Sequence, residues 1–193
     1  MHYLFTYEGI ERVLPVYEVG GGLKIAYLDT FCDLELVTAF SRKIAAMIAE
    51  NEKFINSDRV VLLTAVSKGV PFAYTVGGVL SRSFPDKKVE IAIARKEKKE
   101  FFGKVVTVGK TSITTVGDGD VLVLAENDVN KLKGAAVVVL DDMYSTGASI
   151  NALCEFAAKC GATVIDSIVA VWETDDETIP PPVKYCATLP LIK

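Results

Sequence analysis

The chain has 193 residues, of which 50% are hydrophobic and 24% charged, with a formal net charge of −4. Length and composition support one compact domain over residues 1–193 and exclude a disordered or fibrous chain. The longest uncharged apolar stretch near the middle, Gly69 to Ser81, is shorter than the about 20 residues a bilayer span needs, so no membrane partner is expected.

The N-terminal segment MHYLFTYEGIER carries Glu8 and Glu11 early and has no basic start before an apolar run. It does not read as a secretion signal, and a cytoplasmic location is the expectation. The single histidine, His2, stands at a terminus, where disorder is usual. That leaves no base for a Ser-His-Asp triad and no multi-histidine metal site. Cys32, Cys154, Cys160 and Cys186 contain no CxxC pair and read as reduced core thiols.

Residues 33–53 place Leu36, Phe40, Ile44, Met47 and Ile48 at helical spacing, with Asp33 as the cap, which predicts a core-facing helix. RVVLLTAV, residues 59–66, is a continuous apolar run, as expected of a strand covered on both faces. A helix follows from about Pro71 to Arg82, because proline is tolerated in a first turn. Residues 89–96 form the next strand. The stretch 104–125 is β-branched and glycine-punctuated, which predicts a hairpin or a long flexible loop. AAVVVLDD, residues 135–142, repeats the buried-strand pattern; a helix then starts near Thr146 or Gly147 and stops at Gly161, and residues 162–173 give another strand. The acidic, proline-rich segment Thr174 to Pro182 reads as an exposed connector before a last short strand, 183–191. Strands alternating with helices imply an α/β, doubly wound, mainly parallel sheet with helices on both faces.

Charge is uneven. Residues 82–110 hold nine bases and four acids, net +5, and the remainder is −9. This segment reads either as a solvated basic turn, which the mixed signs of RKEKKE suit, or as a landing site for a small polyanion; nucleic acid is not expected, because the whole chain is acidic and carries no recognised binding motif.

The stretch VVVLDDMYSTGAS, Val137 to Ser149, carries the chemistry. In an open α/β sheet, ligands sit beyond the carboxyl ends of the strands. Here a strand leads through two carboxylates into a turn of small hydroxyl residues and glycine that opens a helix. Free N–H groups and the helix dipole there favour a phosphate. Asp141 and Asp142, as acceptor-only groups, suit the vicinal hydroxyls of a sugar. Together they describe a ribose 5-phosphate.

This stretch resembles, over all thirteen positions, the phosphoribosyl pyrophosphate motif of the type I phosphoribosyltransferases. The closest similarity is to the adenine and xanthine phosphoribosyltransferases, and the resemblance covers about residues 23–173, with both termini forming a small hood over the base site. It implies that Asp141 and Asp142 are catalytic and that they bind the ribose and its 5-phosphate together with Met143, Tyr144, Ser145, Thr146, Gly147, Ala148 and Ser149. TAVSKGVPFAY, Thr64 to Tyr74, looks like the family's pyrophosphate loop, which assigns Ser67, Lys68 and Gly69 to the diphosphate and implies a non-proline cis peptide at this turn. RKEKK, residues 95–99, resembles the basic stretch of the adenine enzymes, so Arg95, Lys96 and Lys99 also face pyrophosphate, from a neighbouring subunit of a homodimer. LKIAYLDTFCDLELV, Leu23 to Val37, is similar to the N-terminal segment of the xanthine enzymes but lacks their Asn-His-Gln-Ile run. Gly109-Lys110-Thr111 resembles the end of a Walker loop, yet Lys104 stands where that loop requires glycine.

The resemblance implies that a nitrogenous base, adenine or a 6-oxopurine, displaces pyrophosphate from C1 of phosphoribosyl pyrophosphate through an oxocarbenium-like transition state. Mg²⁺ is the implied cofactor, held mainly by substrate and water with no dedicated protein cage. The segment Gly103 to Gly119 is expected to close as a lid that keeps water from the cation. Two other readings are an orotate enzyme and a regulator that binds phosphoribosyl pyrophosphate without turnover.

Overall fold

The structure is a computed structural model and describes residues 1–99, 102–109 and 121–192. Most of the expected lid, residues 110–119, lies outside the described residues. Among the described residues the elements run β1 (His2–Tyr7), β2 (Ile10–Gly20), β3 (Leu23–Ala26), α1 (Leu34–Ala49), α2 (Glu52–Ile55), β4 (Arg59–Ala65), α3 (Gly69–Ser83), β5 (Lys88–Ala94), β6 (Val106–Gly109), β7 (Val121–Leu124), α4 (Glu126–Leu132), β8 (Ala136–Tyr144), α5 (Ala148–Lys159), β9 (Thr163–Thr174) and β10 (Lys184–Ile192).

Eight strands form one sheet in the order β1-β2-β3-β10-β9-β8-β4-β5. The run β10-β9-β8-β4-β5 is parallel throughout. The terminal strands β1–β3 are antiparallel and continue the sheet from its β10 side. The central strands are buried on both faces: Val60 and Leu62 of β4 pack with α1 and α3, while Val61 and Leu63 pack with α5 and the β6–β7 hairpin. Such two-sided burial explains why β4 and β8 read as continuous apolar runs rather than alternating ones.

The helix expected over 33–53 is two helices. Asp33 caps α1 by accepting from the Leu36 N–H, as the sequence suggests, but Asn51 starts α2 by accepting from the Lys53 and Phe54 N–H groups. An asparagine competing for backbone donors ends one helix and opens the next. His2 is no loose terminus; it lies in β1 opposite Pro15. The cysteines are free, but only Cys160 is buried. Cys154 and Cys186 are half-buried and Cys32 is exposed in the turn before α1, so the core reading fails for Cys32. The strand expected to end at Asp142 runs on to Tyr144, because Met143 and Tyr144 keep their pairing with Val171 and Trp172 of β9. Helix α3 begins at Gly69, two residues earlier than expected. No helix of the described residues is long and apolar enough to cross a membrane.

Candidate active site

The carboxyl ends of β4 and β8 lie side by side, with Leu63 opposite Val139, and the loops leaving them build two adjoining clefts. One, of about 210 Å³, is lined by Met143, Ser145, Thr146, Gly147, Ala148, Ser149 and Ile150. The other, of about 250 Å³, is lined by Ala65, Val66, Ser67, Lys68, Lys96, Leu122, Asp141, Asp142 and Ser149. Ser149 belongs to both.

The first cleft is the turn into α5. Gly147 is its N-cap at φ 77°, the left-handed region, where glycine carries no steric penalty. A side chain there would also collide with the Tyr144 ring, whose hydroxyl lies 2.7 Å from the position of a Cβ. The N–H groups of the first turn, at Ala148, Ser149 and Ile150, have no carbonyl within the helix to bond and so favour an anion in this cleft.

The second cleft carries the acid pair. Asp141 and Asp142 are 8% and 9% exposed, buried for carboxylates, and the Asp142 N–H donates to Asp141 Oδ1 at 2.9 Å. Across from them, the turn after β4 contains the expected cis peptide, between Val66 and Ser67. Gly69 opens α3 against the acid pair. A Cβ at this residue would stand 2.1 Å from Thr64 Oγ1 and 3.0 Å from Asp141 Oδ1, so no other residue fits without displacing one of them. Lys68 donates from Nζ to the Leu28 carbonyl at 3.4 Å and lies 4.7 Å from the centre of the Tyr27 ring. The turn after β4 is thereby tied to the segment that follows β3.

The expected basic residues separate. Lys96 lines the cleft with the acid pair. Arg95 turns away: its guanidinium pairs with Asp128 at 2.8 Å, donates to the Ile93 carbonyl, and lies against the Phe102 ring. Lys99 is paired with Glu97 on the surface. The motif spacing could not reveal this, because Asp128 belongs to α4, a helix that sequence periodicity did not mark.

Two further residues bear on the site to which the sequence assigns no role. Glu173, at the end of β9, is held above the usual carboxyl range by burial, with the Ser145 hydroxyl acting in the opposite sense. Thr64, in β4, is fully buried; the one signal for it is a hydroxyl inside an apolar run. Among the described residues no cluster of three or more His, Cys, Asp or Glu could enclose a metal ion.

Residues 34–192 match the phosphoribosyl transferase domain family. No curated protein sequence is a significant match to the chain. Among solved structures, adenine phosphoribosyltransferase from Thermoanaerobacter pseudethanolicus is similar at 16% identity and TM-score 0.60, over 80% of each chain. The adenine enzyme of Trypanosoma brucei, solved with AMP, pyrophosphate and ribose 5-phosphate, is similar at 15% identity and TM-score 0.61, over 82% of this chain and 65% of that one. A hypoxanthine phosphoribosyltransferase of Trypanosoma cruzi is similar at 14% identity and TM-score 0.57, over 85% and 82%. At these identities the structures speak to the fold, and the family match to the chemistry: the chain belongs to the phosphoribosyl transferase domain family and is a pentosyltransferase.

Proposed function

We propose that the protein transfers ribose 5-phosphate from phosphoribosyl pyrophosphate to a purine, adenine or a 6-oxopurine, with release of pyrophosphate. The observation that carries this reading is the position of Asp141 and Asp142, in a cleft that joins the anion-binding turn of α5 on one side and the Ser67–Gly69 loop on the other. The purine preference is supported by structural likeness to adenine and hypoxanthine enzymes.

The geometry supports the following roles. The α5 turn, Ser145 to Ser149, anchors the 5-phosphate with backbone N–H groups. Asp141 and Asp142 accept from the ribose hydroxyls and set negative charge near C1, where positive charge develops in the transition state. Lys68 and Lys96 face the departing diphosphate. Tyr27 and Leu28, reached through Lys68, bring the terminal strands to the site, and this layer covers the base. Positioning of this kind replaces any covalent chemistry by the protein.

Two adjacent carboxylates with Ser67 and Ser149 are hard oxygen donors, a set that fits Mg²⁺ held mainly by diphosphate and water. When bound, it supplies charge neutralisation at the leaving group. The working unit is a homodimer, in which the exposed turn 95–99 is available to a neighbouring site.

The test is pyrophosphate release from phosphoribosyl pyrophosphate with adenine, hypoxanthine, guanine, xanthine and orotate in turn. Release with one or more purines is expected. Tight binding of phosphoribosyl pyrophosphate with no release for any base would overturn the reading in favour of a regulator, and release with orotate alone would overturn the purine assignment.

A further inference from the structure

After Arg59 at its start, strand β4 is apolar except at one position near its end, Thr64. Its neighbours Val60, Val61, Leu62 and Leu63 are fully buried, and Thr64 is 0% exposed. Its hydroxyl has no hydrogen-bond partner among the described residues. A buried hydroxyl without a partner is destabilising, and valine has the same shape without that cost. Stability alone therefore argues against threonine at this position.

The location supplies the reason. Thr64 Oγ1 and Asp141 Oδ1 crowd the same point, the place a Cβ of residue 69 would occupy. Only glycine at 69 lets the hydroxyl and the carboxylate approach each other. Asp141 Oδ1 also accepts from the Asp142 N–H. The hydroxyl and the carboxylate oxygen are thus near neighbours on either side of the space that Gly69 leaves open, at the start of α3.

We propose that Thr64 is a positioning residue for the transfer reaction. Its hydroxyl donates to the Asp141 carboxylate once the ribose is bound, and so fixes the orientation of that carboxylate as charge develops at C1. The role rests on the proposed phosphoribosyl transfer. It requires no contact between Thr64 and substrate; Thr64 acts through Asp141. In the absence of substrate the hydroxyl is an unmet donor, a local cost to the folded state that is recovered when the site is engaged.

The experiment compares Thr64→Val and Thr64→Ser in the full chain, by thermal unfolding and by steady-state pyrophosphate release with the best purine. Thr64→Val is expected to unfold at the same or a higher temperature while kcat falls about tenfold, with KM for phosphoribosyl pyrophosphate changed less than about threefold. Thr64→Ser is expected to regain most of the lost kcat despite its missing methyl group. A pure packing role gives the opposite pattern, with valine harmless and serine the damaging change. Wild-type kcat in Thr64→Val, or loss of activity in both variants in step with lost stability, would overturn the proposal. Absence of pyrophosphate release by the wild-type protein with every base overturns the enzyme reading and this role together; wild-type turnover unaffected by Thr64→Val overturns the role of Thr64 alone.

Discussion

The Asp142 N–H donates to the side chain of Asp141 at 2.9 Å, so the two carboxylates are linked through the backbone of β8 and do not move independently. Both lie inside the strand, with Asp141 paired to Val169 and the ladder continuing to Tyr144. An acid pair at the end of a paired strand is more rigid than one on a free loop, which suits the proposed role of holding a sugar while its C1 bond breaks.

Replacing both, Asp141→Asn with Asp142→Asn, is expected to lower pyrophosphate release by at least about a hundredfold, in the range found when preorganised charge is removed from an active site. The amides keep the shape of the carboxylates, so far-ultraviolet circular dichroism should be unchanged. A folded double variant with near-normal turnover would remove the acid pair from the mechanism.

The two left-handed glycines of α5 give a paired test. Gly147 starts the helix and Gly161 follows it, at φ 77° and 70°. Nothing lies within 4 Å of a Cβ at Gly161, whereas a Cβ at Gly147 meets the Tyr144 ring. Gly161→Ala should therefore cost only the backbone penalty, about 1–2 kcal/mol, and leave activity intact. Gly147→Ala should cost more and should also weaken ribose 5-phosphate binding, measured by calorimetry. Equal effects on the ligand from both substitutions would detach the α5 turn from phosphate binding.

Much of this site was legible in the sequence because its parts are local. Thirteen consecutive residues carry a strand, an acid pair, a turn and a helix start, and Ser67–Gly69 leads from the turn after β4 into α3. What the sequence hid is non-local. Arg95 looks like one more cation beside Lys96, until Asp128, 33 positions on, takes its guanidinium. Strands β1 and β2 carry no clear sequence signal because they are two-sided only in part: Phe5 and Leu14 are buried while Leu4 and Val13, paired across β1 and β2, are exposed. Mixed apolar faces of that kind give no clean alternation to read.

The cap of α1 predicts a pH dependence of stability. Arg12 bonds to Asp33, and with the Leu36 N–H this holds the Asp33 carboxyl below its usual value. A carboxylate whose folded-state pKa is depressed stabilises the fold above its unfolded-state pKa and ceases to as pH falls through the folded value. Asp33→Ala should cost about 1 kcal/mol near neutrality from the lost cap. The gap between wild type and variant in urea denaturation should narrow as pH drops below the ordinary aspartate pKa of 3.8. A gap that is constant from neutrality down through that region would mean the charge of Asp33 has no part in the cap.

The basic residues should divide by the partners they have. Lys68 and Lys96 line the cleft with the acid pair, so Lys68→Ala with Lys96→Ala is expected to weaken phosphoribosyl pyrophosphate binding and to remove most of its salt dependence, while ribose 5-phosphate, whose proposed anchor is the α5 turn, binds nearly as before. Arg95 has a different occupation. Asp128 is buried and shared between Arg95 and Lys131, so Arg95→Met leaves one charged hydrogen bond unmade and should lower stability by about 2 kcal/mol. If its role ends there, the variant binds phosphoribosyl pyrophosphate normally wherever it remains folded. If a second subunit draws Arg95 into its own site, the affinity falls as well, and a mixed dimer of Arg95→Met with the Asp141/Asp142 double variant regains one working site. Calorimetry on the single variant and activity of the mixed dimer separate the two cases. A double lysine variant that binds both ligands as wild type does would show that cleft charge does not hold the diphosphate.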